Sequence, residues 1–124
     1  MGAFRRFMRR LSETDEERLA GTVAEWAASV PDTVRIAEAP LRTSVRLAAV
    51  VKRTSMVPGD AFDSLEAVLS DGTGEVTAVW TGRRGIPGLV LGKRLVVEGV
   101  LVQSPSGGRK MVNPKYEFAA QAGS

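Results

Sequence analysis

The sequence predicts an all-β domain, a small five-stranded barrel with one helix in front of it. Three observations predict it. First, residues 65–80, LEAVLSDGTGEVTAVW, hold two alternating apolar runs around Asp71-Gly72-Thr73-Gly74. Leu65, Ala67 and Leu69 share one face of the first run, and Val76, Ala78 and Trp80 share one face of the second, which is the period of a half-buried strand. Asp-Gly supplies the positive backbone angles of a tight reversal, and a second Gly two residues on allows a bulge, so the stretch reads as a β-hairpin. Second, three more strand-like runs lie at 44–52, 94–102 and 110–118. Third, the segments between the runs are rich in Gly, Pro, Ser and Asp, and the one long stretch with helical period lies before them all.

Taken in order, residues 1–11, MGAFRRFMRRL, set Phe4, Phe7, Met8 and Leu11 at helical spacing with Arg5, Arg6, Arg9 and Arg10 on the other side. Two readings stand: an arm for phosphates or an anionic membrane surface, or a terminus that packs its apolar side on the body or on nothing. The second is preferred, because so short a helix is marginal alone. Residues 12–30 read as a helix. Ser12 or Thr14 can cap it, Thr14 and Glu17 have capping-box spacing, and Asp15, Glu16 and Glu17 suit the positive end of the helix dipole. Leu19, Val23, Trp26, Ala27 and Val30 form its apolar stripe, and Pro31 stops it. The stripe is expected to dock on the barrel and bury Trp26. Its acidic neighbours make Trp26 a packing residue rather than a platform for bases.

Residues 44–52 form the first strand, apolar on both sides toward its end. Arg53–Ala61 reads as a loop around Pro58-Gly59, followed by the hairpin. Residues 81–93 hold four Gly and one Pro, too many for a full helix, and Ile86, Leu89 and Leu91 are expected to plug the barrel floor. In the fourth strand Leu95, Val97 and Leu101 point inward, and Gly99 suggests a bend or bulge. The fifth run, Lys110–Phe118, contains Pro114, which cannot donate to a ladder and marks an edge or bulge. The expected organisation is a basic arm at 1–11, an acidic helix and connector at 12–40, the barrel at 41–119 and a tail at 120–124.

Composition excludes several function classes. Cysteine and histidine are both absent, which removes disulfides, the usual zinc ligands and every catalytic dyad or triad built on them. No Asp/Glu cluster has metal-ligand spacing, so no cofactor, metal or catalytic residue is expected, and the chain reads as non-enzymatic. No apolar run approaches the ~18 residues of a membrane span. No apolar signal core follows the N-terminal arginines, so the cytoplasm is the expected compartment. Charge is distributed unevenly. Residues 1–11 carry four Arg and no acid; residues 12–38 carry seven acids and two Arg; the remainder carries eleven Lys or Arg and seven acids. A basic arm, an acidic helix and a basic body suggest a polyanionic partner for the basic parts.

Five strands, a long loop after the first, a tight hairpin between the second and third, and a Ser/Pro/Gly loop between the fourth and fifth are the layout of an OB-fold barrel. Leu65–Trp80 resembles the "strand, Asp-Gly-x-Gly, strand" segment of OB domains in the group that includes tRNA-anticodon-binding domains and the wedge of the helicase RecG. Gly92-Lys93-Arg94 with Val97-Glu98-Gly99 resembles that group's fourth strand. Met111 with Pro114-Lys115-Tyr116-Glu117 resembles the fifth strand of the RecG wedge. The arrangement over residues 12–118, acidic helix included, is similar to small stand-alone OB-fold proteins of actinobacteria. None of the helicase motor motifs is present, so no ATPase activity carries over.

The resemblance implies single-stranded nucleic acid, DNA or RNA, on the exposed face of strands two and three, between the first and last loops. That places Lys52, Arg53, Arg109 and Lys110 at the two loops, with Arg46 added from the first strand. Phe62 is the aromatic able to stack a base there, and Arg83 and Arg84 either extend the basic track or are a solvated turn. Trp80 shares the parity of Val76 and Ala78 and is assigned to the core. The face itself offers Glu66, Val68 and Ser70, then Glu75, Thr77 and Val79. Two acids and no aromatic make a poor stacking platform, so binding would be electrostatic and salt-sensitive, with little sequence preference. The alternative partner is a protein, docked through the barrel face or the acidic helix.

Overall fold

The computed structural model describes residue 18 and residues 21–119. Helix α1 covers residues 21–29, and a 3-10 turn follows at Ile36–Glu38. Six strands succeed them: β1 Ser44–Val57, β2 Ser64–Ser70, β3 Glu75–Thr81, β4 Arg94–Gln103, β5 Arg109–Val112 and β6 Lys115–Phe118. The last two are the halves of the expected fifth strand, parted where Pro114 lacks a donor and Asn113 takes φ 50°. The order around the sheet is β1-β2-β3-β5-β4-β6, and β1 pairs with β4 to close the ring. β3 and β5 run parallel; the remaining pairs are antiparallel. This is the connectivity of the OB fold. The arm at 1–11, the cap residues Ser12 and Thr14, the acids 15–17, Leu19 and the tail at 120–124 lie outside the described residues.

Alternation decides the core. Val45, Leu47, Ala49 and Val51 of β1 face Leu65, Ala67, Leu69, Val76, Ala78, Trp80, Leu95, Val97, Leu101 and Met111 across the barrel, all buried. Trp80 lies inside, its indole Nε1 donating to the Pro114 carbonyl at 3.0 Å and its ring edge-on to Tyr116. Aliphatics alone leave no partner for an indole N–H, so the carbonyl freed at the β5–β6 break satisfies it. Gly99 keeps the inward parity of its strand; a Cβ there would lie 3.4 Å from Pro114, so its bareness lets the break approach. Ile86 and Leu89 plug the floor as expected. Leu91 does not: it is 69% exposed, because the chain turns at Gly88 and Gly92, both with positive φ, and carries Leu91 outward.

The turn Asp71–Gly74 joins distant parts of the chain. Gly72 takes φ 84°. The Asp71 carboxylate, 2% exposed, accepts from the backbone N–H groups of Thr73 and Gly74 and from the Thr73 hydroxyl. Its other oxygen, Oδ2, accepts from the backbone N–H of Ile36 at 2.8 Å. Ile36 is fully buried and sits on Gly74, where a Cβ would meet its Cγ2 at 3.1 Å. The connector 31–43 is thereby held against the barrel, and Val34 donates to the Arg46 carbonyl on the stretch of β1 that β2 does not reach.

Helix α1 lies over the outer face of the β1–β4 pair. Ala48 points outward by parity yet is 2% exposed, and the Trp26 ring stacks on the guanidinium of Arg94 at 5.2 Å. The expected burial of Trp26 is only partial. Ala27 makes the close approach at 8% exposure, while Trp26 and Val23 remain half-buried at the margin.

Two stability predictions follow from this packing. Asp71→Ala strands a buried Ile36 N–H and the turn donors, and is expected to lower unfolding free energy by about 3 kcal/mol in urea melts. Thr73→Val removes the hydroxyl that donates to Asp71 and accepts from the Ala37 N–H but leaves the Ile36 bond, and should cost about 1 kcal/mol; equal losses would show that the bond to Ile36 is not the dominant contact. Trp26→Ala is expected to cost about 1–3 kcal/mol, below the 3–5 of a fully buried Trp, and Arg94→Ala about 0.5–1. An unchanged melting temperature in Trp26→Ala would mean that α1 is not docked.

Candidate nucleic-acid interface

With α1 over one side of the barrel, the outer face of β1-β2-β3-β5 is left open among the described residues. Register places its side chains in transverse rows. One row runs Arg53, Val68, Thr77, Lys110 and Val102, each residue paired with the next. The next runs Ser55, Glu66, Val79 and Val112. A third joins Val57, Ser64 and Thr81, and the Asn113 amide closes it through hydrogen bonds with the Thr81 hydroxyl and backbone N–H.

The eight basic and aromatic residues singled out from the sequence fall into different settings. Lys52 and Arg53 are not in a loop. β1 runs on to Val57 because residues 53–57 keep pairing with β2, so the loop begins only at Pro58. Lys52 is the extra residue of a bulge between Val51 and Arg53, and its Nζ lies 3.4 Å from the Glu75 carboxylate. Arg53 stands on the open row, as does Lys110 three strands away. Arg109 takes the inward parity of Met111, and its guanidinium donates to the Ala37 carbonyl at 3.3 Å, tying β5 to the 3-10 turn. Arg46 pairs with Glu98 across β1–β4, on the side that α1 covers.

Phe62 is 68% exposed at the tip between β1 and β2. It lines a cleft of about 300 Å³ with Gly59, Ala61, Asp63, Gly82 and Arg84. Arg83 is held apart from that cleft by the Tyr116 hydroxyl at 3.2 Å, with its guanidinium over the Tyr116 ring. Among the described residues, Arg46, Arg53, Arg84 and Lys110 are the four cations of the group with neither an ion pair nor a side-chain hydrogen bond nor an aromatic ring as partner, and of these Arg46 lies on the side that α1 covers.

The two loops do not meet at one mouth. Thr77 pairs with Lys110, so the loop 104–108 lies level with the start of β3; Ser64 pairs with Thr81, so the loop 58–63 lies level with its end. The open face spans the distance between them. From Val68, on the Arg53–Lys110 row, to Ser64 is four residues, roughly 13 Å at ~3.3 Å each. Sequence reasoning missed Val112 and Asn113 as face residues, since their outward position depends on the parallel β3–β5 register. It also placed Lys52 and Arg109 with the free cations, although both are held by contacts within the fold.

Among the described residues, no group of three or more Asp or Glu could hold a metal ion, and no helix is long and apolar enough to cross a membrane. No family model matches the sequence, and no curated protein matches it. Solved structures do. The chain is similar to RecG in a structure of RecG bound to a three-way DNA junction, with TM-score 0.60 and 19% identity over 73% of this chain. It spans only 13% of that RecG chain. It is also similar to a chain of a replication protein A heterotrimer bound to ssDNA, with TM-score 0.50 and 18% identity, over 75% of this chain and 70% of that one. The RecG-like motifs and this structural likeness agree on one point: the domain is an OB-fold barrel.

Proposed function

We propose that the chain is a non-catalytic OB-fold protein that binds single-stranded DNA or RNA with little sequence preference, across the open face of β1-β2-β3-β5. The observation that carries this reading is the basic row of Arg53 and Lys110, facing solvent, with Phe62 and Arg84 at the end of the same face. Both similar structures contain DNA, the replication protein A one as a single strand. The likeness to stand-alone actinobacterial OB proteins fits a cytoplasmic binding module.

The three unpartnered cations of the open face bound the electrostatics. Each phosphate contact in a single strand contributes about −0.7 to the log–log salt slope, so Arg53, Lys110 and Arg84 together predict a slope near −2. One stacking aromatic contributes ~1–3 kcal/mol per base. Affinity is therefore modest and falls steeply with salt.

A second reading has its own observation. Val68 and Val102 stand on the basic row, and Val112 on the next row is 48% exposed. A β-branched, weakly basic face also suits a protein partner.

Fluorescence titration with single-stranded oligonucleotides at several salt concentrations tests the proposal. Arg53→Ala with Lys110→Ala is expected to weaken binding about equally for every sequence and to flatten the slope to about −0.7. Phe62→Ala should weaken binding with little change in slope. If removal of residues 1–11 abolishes binding while the face substitutions do nothing, the basic arm is the binder. If no oligonucleotide binds at low salt, the protein-partner reading stands instead.

A further inference from the structure

The open edge of β1 is the least protected backbone in the barrel. Over Ser44–Val50 the strand pairs with β4, and at Val51 the backbone still bonds to Gly92 and Lys93. From Arg53 to Val57 it pairs with β2 on one side, and no ladder, turn or loop hydrogen bond covers the other among the described residues. All five side chains are exposed. An uncovered strand edge presents alternate N–H and C=O groups and templates another strand unless charge, proline or a bulge blunts it. β6, which also pairs on one side, is blunted by Lys115 and Glu117. The bulge of β1, at Lys52, comes before the open stretch begins; from Arg53 to Val57 the edge carries no charge beyond Arg53 at its inner end, and its proline, Pro58, comes one residue too late.

We propose that this edge pairs with the same edge of a second copy of the chain, antiparallel about a two-fold axis at Ser55. In that register the segment Arg53-Thr54-Ser55-Met56-Val57 meets its own copy. Ser55 faces Ser55, Thr54 faces the partner's Met56, and Arg53 faces the partner's Val57. No like charges stand opposite each other, the arrangement that destabilises cross-strand pairs. The two Arg53 side chains are four residues apart along the ladder, roughly 13 Å, beyond the ~8 Å Debye length at physiological ionic strength. An acidic extended peptide would gain from Arg53 alone, whereas a second copy brings an edge that is unpaired over the same five residues. The pairing joins two open faces into one sheet surface. A five-residue ladder is a small interface, so the dimer is weak and concentration-dependent.

The test needs no nucleic acid, so its failure leaves the binding proposal untouched. Sedimentation equilibrium of the full chain over about a hundredfold range of concentration should show the mass rising from one chain toward two. Ser55→Lys and Ser55→Glu each place like charges face to face on the axis and should stay monomeric across that range. Ser55 is exposed, so both variants should melt with the wild type. Mixed in equal amounts, the two variants should dimerise again at least as well as wild type. The proposal is overturned by a wild type that is monomeric throughout, by variants that dimerise like wild type, or by a mixture that stays monomeric. Exclusive capture of an acidic peptide by the monomeric wild type would assign the edge to another partner.

Discussion

The fold depends on one buried carboxylate. Asp71 is the buried charged residue of the barrel, and every contact it makes is a hydrogen bond from a backbone N–H or the Thr73 hydroxyl. A charge out of water is tolerable only when its lone pairs are filled, and here both oxygens are. One oxygen shapes the β2–β3 turn. The other reaches Ile36, 35 positions earlier in the chain, and holds the 3-10 turn on the barrel. From that point the connector runs along the strand edge of β1 and carries α1 to the β1–β4 face. The turn, the connector and the docked helix are therefore one cooperative unit, and the same carboxylate decides which side of the barrel is covered.

Covering one side defines the other. α1 lies over β1 and β4, where Arg46 and Arg94 stand, and leaves β1-β2-β3-β5 open. Two of the cations near that face are committed to the fold. Lys52 meets Glu75, an exposed pair worth about 0–1 kcal/mol at most. Arg109 meets the Ala37 carbonyl and so braces the same 3-10 turn that Asp71 holds. The cations left over determine the electrostatics of the surface, which is why the chain's modest formal charge of +3 says less than the register of Arg53 and Lys110.

Much of this was legible in the sequence, for a local reason. The hairpin, β4, the break at Pro114 and the inward Trp80 all follow from period-two alternation and from Gly or Pro acting on the next one or two residues. Several features escaped. Leu91 reads as core by composition, but two positive-φ glycines turn it outward. The end of β1 reads as loop because Arg53-Thr54-Ser55 is polar, yet pairing with β2 stabilises it as strand regardless. The placement of Arg53 and Lys110 on one row needs the parallel β3–β5 register, which no pattern within either strand encodes. The partners of Asp71 and Arg109 lie 35 and 72 residues away, so neither link has a local signature.

The bulge at Lys52 joins these threads. Val51 faces Leu69 in the core. With unbroken alternation Lys52 would stand opposite Val68 on the open face, and Arg53 would stand opposite Ala67, which is fully buried. Arg53 would then leave the outward row that carries Val68, Thr77 and Lys110. The extra residue shifts the register by one, so Arg53 meets Val68 on the outer face and Thr54 takes the place above Ala67. The same bulge bends β1 away from β4 just where their pairing ends. One inserted residue thus aims a cation onto the open face and exposes the strand edge beside it, so the surface chemistry of this barrel and its unpaired backbone have a common origin in the bend of β1.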